Sequence, residues 1–229
     1  MKIIGHRGAS GYKPENTLAS FKEALALGVE MVECDVYVIK TGEVVVFHDS
    51  KLDRTTNGRG KIEEITFSEL RKLDAGNGEP VPLLTEVLDL INKKAAINIE
   101  LKGQGTATSV AKIITNYMQK KKWSKKLFLV SSLDHNELIG FNQLLPSIST
   151  SALFRFLPRG FWKITDKTNA ISANVAARAI TRRTVKAVHA RGLKIFAYTV
   201  NSERQAKRMR LLKVDGIFSD YPDKVSSKV

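Results

Sequence analysis

The chain has 229 residues, 43% of them hydrophobic and 26% charged, which is enough to bury a full core in one large α/β domain or two small ones. Its formal net charge of +14 is lopsided: residues 1–101 hold 13 Lys/Arg against 16 Asp/Glu, and the remainder holds 24 against 7. No stretch approaches the length of a membrane span, the lone Cys34 excludes an intramolecular disulfide, and no linker-like segment divides the chain, so the expectation is a single domain over residues 1–229.

A β-like run at 2–6 starts almost at Met1 and ends on His6, leaving no room for a signal peptide and giving a cytoplasmic expectation. Leu18, Phe21, Ala24 and Leu25 then follow the helical period behind an Asn16 or Thr17 cap, with Gly28 as the stop. The second β-like run, 31–37, carries Glu33, Cys34 and Asp35. Val44–Phe47 follows it after the turn Thr41-Gly42-Glu43, a connection too short for a helical crossover, so that run is expected as an antiparallel hairpin partner. Residues 49–80 form a turn-rich excursion containing a Thr66/Glu69 capping box, and a helix is expected at about 85–93.

Six more β-like runs, at 96–101, 127–131, 149–153, 170–174, 194–199 and 215–219, alternate with helical stretches, one of them starting at Thr181 and stopping at Gly192. Eight strands alternating with helices in this length predict a closed (β/α)8 TIM barrel with a small insertion after the second barrel strand. The active site of such a barrel lies at the C-terminal ends of the strands, where His6, Asp35 and Glu100 fall.

Glu33 and Asp35, two apart on a strand, share one face, with Val32, Cys34 and Val36 on the other. Two buried like charges repel each other, and an oxygen-ligated divalent cation, Mg²⁺ or Ca²⁺, relieves the repulsion. Glu100 and Lys102 repeat the spacing at the end of the next barrel strand, the first placed to complete a metal set and the second to neutralise a phosphate. Gly8 lets the chain turn so that His6 and Arg7 both face the rim, Arg7 offering paired hydrogen bonds to phosphate oxygens. His48 supplies a second proton-transfer group. These residue types together outline a phosphodiester-cleaving site. His135, His189 and Cys34 read as structural, while Trp123, Phe161 and Trp162 read as surface or lid aromatics, with 154–162 at the mouth opposite the metal.

Basic clusters at Lys120–Lys122, Lys125-Lys126, Arg182-Arg183 and Arg204–Arg210 read either as solvated helix faces or as an anionic-partner surface. A nucleic-acid-binding module is the less favoured alternative, because no helix-turn-helix, zinc-finger or RNP pattern is found and aromatics are 7% of residues.

The ordered set His6-Arg7-Gly8-Ala9, Pro14-Glu15-Asn16-Thr17, Glu33-Cys34-Asp35-Val36, Phe47-His48-Asp49, 52–58, 73–76, Glu100-Leu101-Lys102, Tyr198-Thr199-Val200-Asn201, and Asp215-Gly216-Ile217 with Asp220 resembles the glycerophosphodiester phosphodiesterases, across almost the whole chain. The resemblance implies a TIM barrel that hydrolyses glycerophosphodiesters to glycerol 3-phosphate and an alcohol. His6 and His48 would be the acid/base pair, with Glu33, Asp35 and Glu100 on a divalent cation and Arg7 and Lys102 on the phosphate. Glu15 would orient Arg7 or bind a substrate hydroxyl, and Tyr198 stands where the family often has Trp. The partner implied is a small-molecule diester. A lysophospholipase D-type or other phospholipid phosphodiesterase docking weakly on an anionic membrane is the alternative within the enzyme class.

Overall fold

The computed structural model describes residues 1–226. Its strands are β1 (Lys2–Gly5), β2 (Met31–Val38), β3 (Val44–Val46), β4 (Ala96–Leu101), β5 (Phe128–Ser132), β6 (Ser149–Phe154), β7 (Ala170–Ala176), β8 (Lys194–Tyr198) and β9 (Gly216–Ser219). Its helices are α1 (Leu18–Ala26), α2 (Phe67–Leu70), α3 (Leu84–Ile91), α4 (Thr106–Lys120), α5 (His135–Leu144), α6 (Trp162–Lys167), α7 (Arg182–His189) and α8 (Glu203–Leu211). The parallel strands run β1-β9-β8-β7-β6-β5-β4-β2, and β2 closes back onto β1, giving the eight-stranded TIM barrel expected from the alternation.

The pleat sorts the side chains into two apolar bodies. Val32, Cys34, Val36, Ile97, Ile99 and their neighbours face the helices in one continuous shell. Ile4, Met31, Leu129, Phe196 and Phe218 fill the barrel interior below the mouth. Caps fall where the sequence puts them: the Thr17 hydroxyl accepts from the Ser20 N–H at the start of α1, and Thr66 and Glu69 form the reciprocal box at α2. Thr181 caps α7, and Gly28 and Gly192 both have the positive φ of a helix stop.

The β2 strand also sets where the site forms. One of its edges is taken by β4 from Met31 to Val36. On the other edge β1 pairs only at Met31 and Val32, while β3 pairs antiparallel at Val36 to Val38. Between those two contacts, over residues 33–35, the ends of β1 and β3 converge and bring His6-Arg7 and His48 to the same stretch of backbone. Beyond β3 the excursion closes over a small apolar cluster of its own, built on Phe47, Leu52, Ile62, Leu70 and Val81.

Two aromatic expectations are overturned. Trp123 is only 5% exposed, stacked on Phe128 with centroids 5.2 Å apart, and Phe161 is likewise buried. Both follow or precede helices whose apolar faces need a large filler against the sheet, which a sequence without contacts does not reveal. Of the three, Trp162 alone is exposed. Part of the basic run is also structural, since Arg208 donates to the carbonyls of Ala177 and Ile180 at 3.0 and 2.6 Å and Arg210 donates to Val225 O at 2.6 Å. Trp123→Ala should lower unfolding free energy by about 3–5 kcal/mol in urea titration, the usual cost of emptying a large aromatic site; a loss below about 1 kcal/mol would contradict the packing described.

Candidate active site

Four side chains from two neighbouring strands form the centre. Glu33 and Asp35 of β2 and Glu100 of β4 bring carboxylate oxygens within 4.8 Å of one another, and Lys102 lies just past the end of β4. The cluster is buried, Glu33 being 2%, Asp35 1% and Glu100 9% exposed. Lys102 Nζ donates to Glu100 Oε1 at 2.9 Å and stands 3.4 Å from Asp35 Oδ1. Burial and the charge of Asp35 push the Glu33 carboxyl up to about 8 and raise Glu100 too. Asp35 itself is held low: burial opposes its charge, but Lys102, Arg7, His48 and the Asn16 amide, which donates to Oδ2 at 3.0 Å, outweigh it.

Arg7 is held in an unusual way. Its own φ of 54° and the 85° of Gly8 turn the chain sharply at the end of β1, so that its backbone N–H donates to Glu33 Oε2 at 2.9 Å. A Cβ on Gly8 would meet the Ser20 Oγ at 2.3 Å, so the turn needs glycine for space as well as for φ. The Arg7 guanidinium reaches two acids: Nη1 donates to Glu15 Oε1 at 2.7 Å, and Nε lies 3.3 Å from Asp35 Oδ2, close enough for charge attraction but not aligned as a hydrogen bond. Glu15 also accepts from Arg54 Nη1 and Nη2 at 2.8 and 2.7 Å. Arg54 in turn donates through Nε to Asp49 Oδ2 at 2.5 Å, and Asp49 pairs with His48 Nδ1. One arginine from the excursion therefore ties the acid beside Arg7 to the acid beside His48.

The two histidines have similar partners and opposite tendencies. His6 Nδ1 is 2.6 Å from Asp220 Oδ1, and Asp220 also accepts from Ser10 Oγ at 2.9 Å and Asn201 Nδ2 at 2.5 Å. The Asp220 carboxyl is held at about 2; burial opposes its charge but the His6 bond and pairing prevail. Asp49 is likewise near 2, chiefly through the Arg54 hydrogen bond. Ionised carboxylates only accept, so in both histidines Nδ1–H donates and Nε2 is the nitrogen left for proton transfer. Burial works against a proton on His6, but the Asp220 bond and Glu33 overcome it and its pKa is raised. Burial also acts first on His48, where the nearby Lys102 and Arg7 cations help to lower it.

These groups open into a cleft of about 260 Å³ at the C-terminal mouth of the barrel, with Leu133, Leu153 and Tyr198 on the far side. The Tyr198 hydroxyl donates to Phe154 O at 3.0 Å, and burial pushes its phenol up to about 12. The expectation that 154–162 lines the mouth does not hold: Leu153 points in, while Phe154 packs outward on His135 and Phe161 by strand parity. His135 bonds Leu153 O and His189 pairs with Asp215, away from the cleft, and Cys34 sits in the helix-facing shell. The structure brings together His6, Arg7, Glu15, Glu33, Asp35, His48, Glu100 and Lys102. Asp220, Asn201 and Arg54 carry no site role in the sequence reading, and Asn16 only that of a candidate helix cap; a polar residue one step past a barrel strand, as Asp220 is, is the signal that could have found the first.

The carboxylate set fits a hard divalent cation. Its donors are all oxygen, they lie on adjacent rigid strands, and the pair of cations beside three buried acids leaves Glu33 protonated near neutrality unless more positive charge is supplied.

A model of the glycerophosphoryl diester phosphodiesterase family matches residues 6–224. The chain belongs to that family. A glycerophosphodiester phosphodiesterase of Bacillus altitudinis is 37% identical over 240 residues, covering 97% of this chain and 96% of that one. One from Caldanaerobacter subterraneus subsp. tengcongensis is 34% identical, covering 96% and 94%. Among solved structures, an Oleispira antarctica phosphodiesterase in complex with the product sn-glycerol-3-phosphate superimposes with a TM-score of 0.91 at 31% identity, covering 98% of this chain and 95% of its own. This family member should show the Asp220 effect directly. Asp220→Asn should lower the His6 pKa in an NMR titration. The stability that ionised Asp220 contributes is complete above its unfolded value of 3.8 and lost as pH falls through about 2, so the variant's stability should fall less steeply across that window. An unchanged His6 titration would refute the pairing.

Proposed function

We propose that this chain hydrolyses glycerophosphodiesters to glycerol 3-phosphate and an alcohol. The observation that carries the reading is the buried Glu33/Asp35/Glu100 cluster flanked by Arg7, Lys102 and two carboxylate-paired histidines, in a chain of this family. Residues 1–229 act as one domain with the 49–80 excursion as part of it. The reaction is cytoplasmic, and among the described residues no helix is long and apolar enough to cross a membrane.

Glu33, Asp35 and Glu100 would hold a divalent cation, Mg²⁺ or Ca²⁺, which would supply positive charge to neutralise the phosphoryl group. Arg7 and Lys102 add fixed positive charge from two sides, and Glu15 keeps the Arg7 guanidinium extended into the site. The opposed histidine shifts divide the proton work. His48, the less basic, is neutral near pH 7 and accepts through Nε2 the proton of the attacking oxygen, from water or from the adjacent glycerol hydroxyl; in the second case a cyclic phosphate forms, and water then opens it to glycerol 3-phosphate with the two histidines exchanging roles. A bond forms from that oxygen to phosphorus, the bond from phosphorus to the alcohol oxygen breaks, and His6 gives its proton to the departing oxygen. Tyr198 bounds the pocket on the side of the alcohol.

The test is release of glycerol 3-phosphate from glycerophosphocholine and glycerophosphoethanolamine with Mg²⁺, with Ca²⁺ and with EDTA. Release should require the metal and vanish in Glu33→Ala; release that persists in EDTA would remove the cation from the reading. His6→Ala and His48→Ala should each lower kcat by about 10²–10⁴ with unchanged circular dichroism. Turnover near wild type in either would end the two-histidine scheme. The acid limb of the kcat/KM profile should follow loss of neutral His48 and the basic limb loss of the His6 proton, giving a bell.

A further inference from the structure

Outside the residues that line the cleft, the barrel rim at the ends of β6 and β7 has an electrostatic character of its own. Arg155 directly follows β6, whose Leu153 lines the cleft. Arg178 lies two residues past β7, where Ala176 is in register with the cleft residue Tyr198. The Tyr198 hydroxyl bonded to Phe154 O ties the end of β6, and with it Arg155, to the end of β8. Both guanidiniums are exposed, and neither has an acidic partner among the described residues. Both are near enough to Tyr198 to oppose the rise of its phenol by their charge.

The negative charges in reach are committed elsewhere. Glu33 and Glu100, the carboxylates that line the cleft, belong to the acidic cluster. Asp134, just past β5, caps α5, accepting from the N–H groups of Asn136 and Glu137 at 2.9 and 3.4 Å. A substrate whose phosphoryl group sits between Arg7, Lys102 and the acids must send one of its two halves toward β6 and β7. A cation there meets two arginines and no free acid. An anion meets two exposed guanidiniums with no acidic partner among the described residues, an attraction that is strongest at low salt.

We propose that Arg155 and Arg178 select phosphodiesters whose alcohol half carries a negative charge of its own, such as a further phosphate group, over those whose alcohol is a cation. This rests on the function proposed above, in which the glycerol 3-phosphate half is common to all substrates and the alcohol varies.

Three diesters with that common half test it: glycerophosphocholine, with a cationic alcohol; glycerophosphoglycerol, with a neutral one; and bis(glycerophospho)glycerol, whose alcohol bears a second phosphodiester. Initial rates of glycerol 3-phosphate release at low salt give kcat/KM for the wild type and for Arg155→Glu/Arg178→Glu. The wild type should prefer the anionic substrate. The double reversal should shift the anionic-to-cationic ratio by roughly tenfold or more, as two exposed charges changing sign would do. The neutral substrate should change least, Arg155→Lys/Arg178→Lys should keep the preference, and added salt should erode it. A ratio unmoved by the reversal overturns the proposal. That includes the case in which the wild type, but not the variant, sediments with phosphatidylglycerol vesicles, which would give the two arginines to a lipid surface instead. Release from none of the three diesters would overturn the function itself, a failure separable from loss of preference.

Discussion

Three carboxylates buried side by side at the mouth of a barrel are a standing electrostatic problem, and much of this structure is arranged around it. Desolvation and mutual repulsion each favour protonation, yet Asp35 stays ionised because a lysine, an arginine and a buried asparagine all face it. Each compensating group is itself fixed by something farther out. Arg7 depends on a left-handed turn and on Glu15, Glu15 on Arg54, and Asn16 on its own φ of 60°. Remove the acids and there is little reason for that turn or for a guanidinium under the surface.

The same logic explains what was legible in the sequence. Strand runs could be read because parallel-barrel strands are buried on both faces, and every one of the eight runs coincides with a strand in the structure. The hairpin β3 could be read because a connection as short as residues 39–43 leaves no room for a helical crossover. Glu33 and Asp35 could be placed together by pleat parity alone. What parity cannot supply is closure: Asp220 meets His6 across 214 positions because β9 completes the ring beside β1. Arg54 was hidden for another reason, since a half-exposed arginine in a turn-rich loop has no periodicity to betray it. Trp123 and Phe161 were misread because flanking turns look like surface until the helix above them is in place.

The charge asymmetry of the chain also resolves into distinct uses. The slightly acidic first half builds the charged centre, and the second half supplies the strongly basic remainder. Some of those cations lock helix α8 to backbone carbonyls, as Arg208 and Arg210 do. Others, just past the ends of β6 and β7, are exposed and have no acidic partner among the described residues. A net charge read from sequence sums these uses into one figure and so says little about any of them.

The excursion after β3 has a small apolar cluster separate from the main shell, yet it carries Arg54, which reaches both Glu15 and Asp49. The barrel can therefore remain folded while this patch opens, because its apolar cluster is distinct from the shell between the barrel and its helices. In that locally opened form Arg7 and His48 would lose their common tether at once. The stability that matters to turnover is then that of a minor cluster, and heat would silence the protein before it melted.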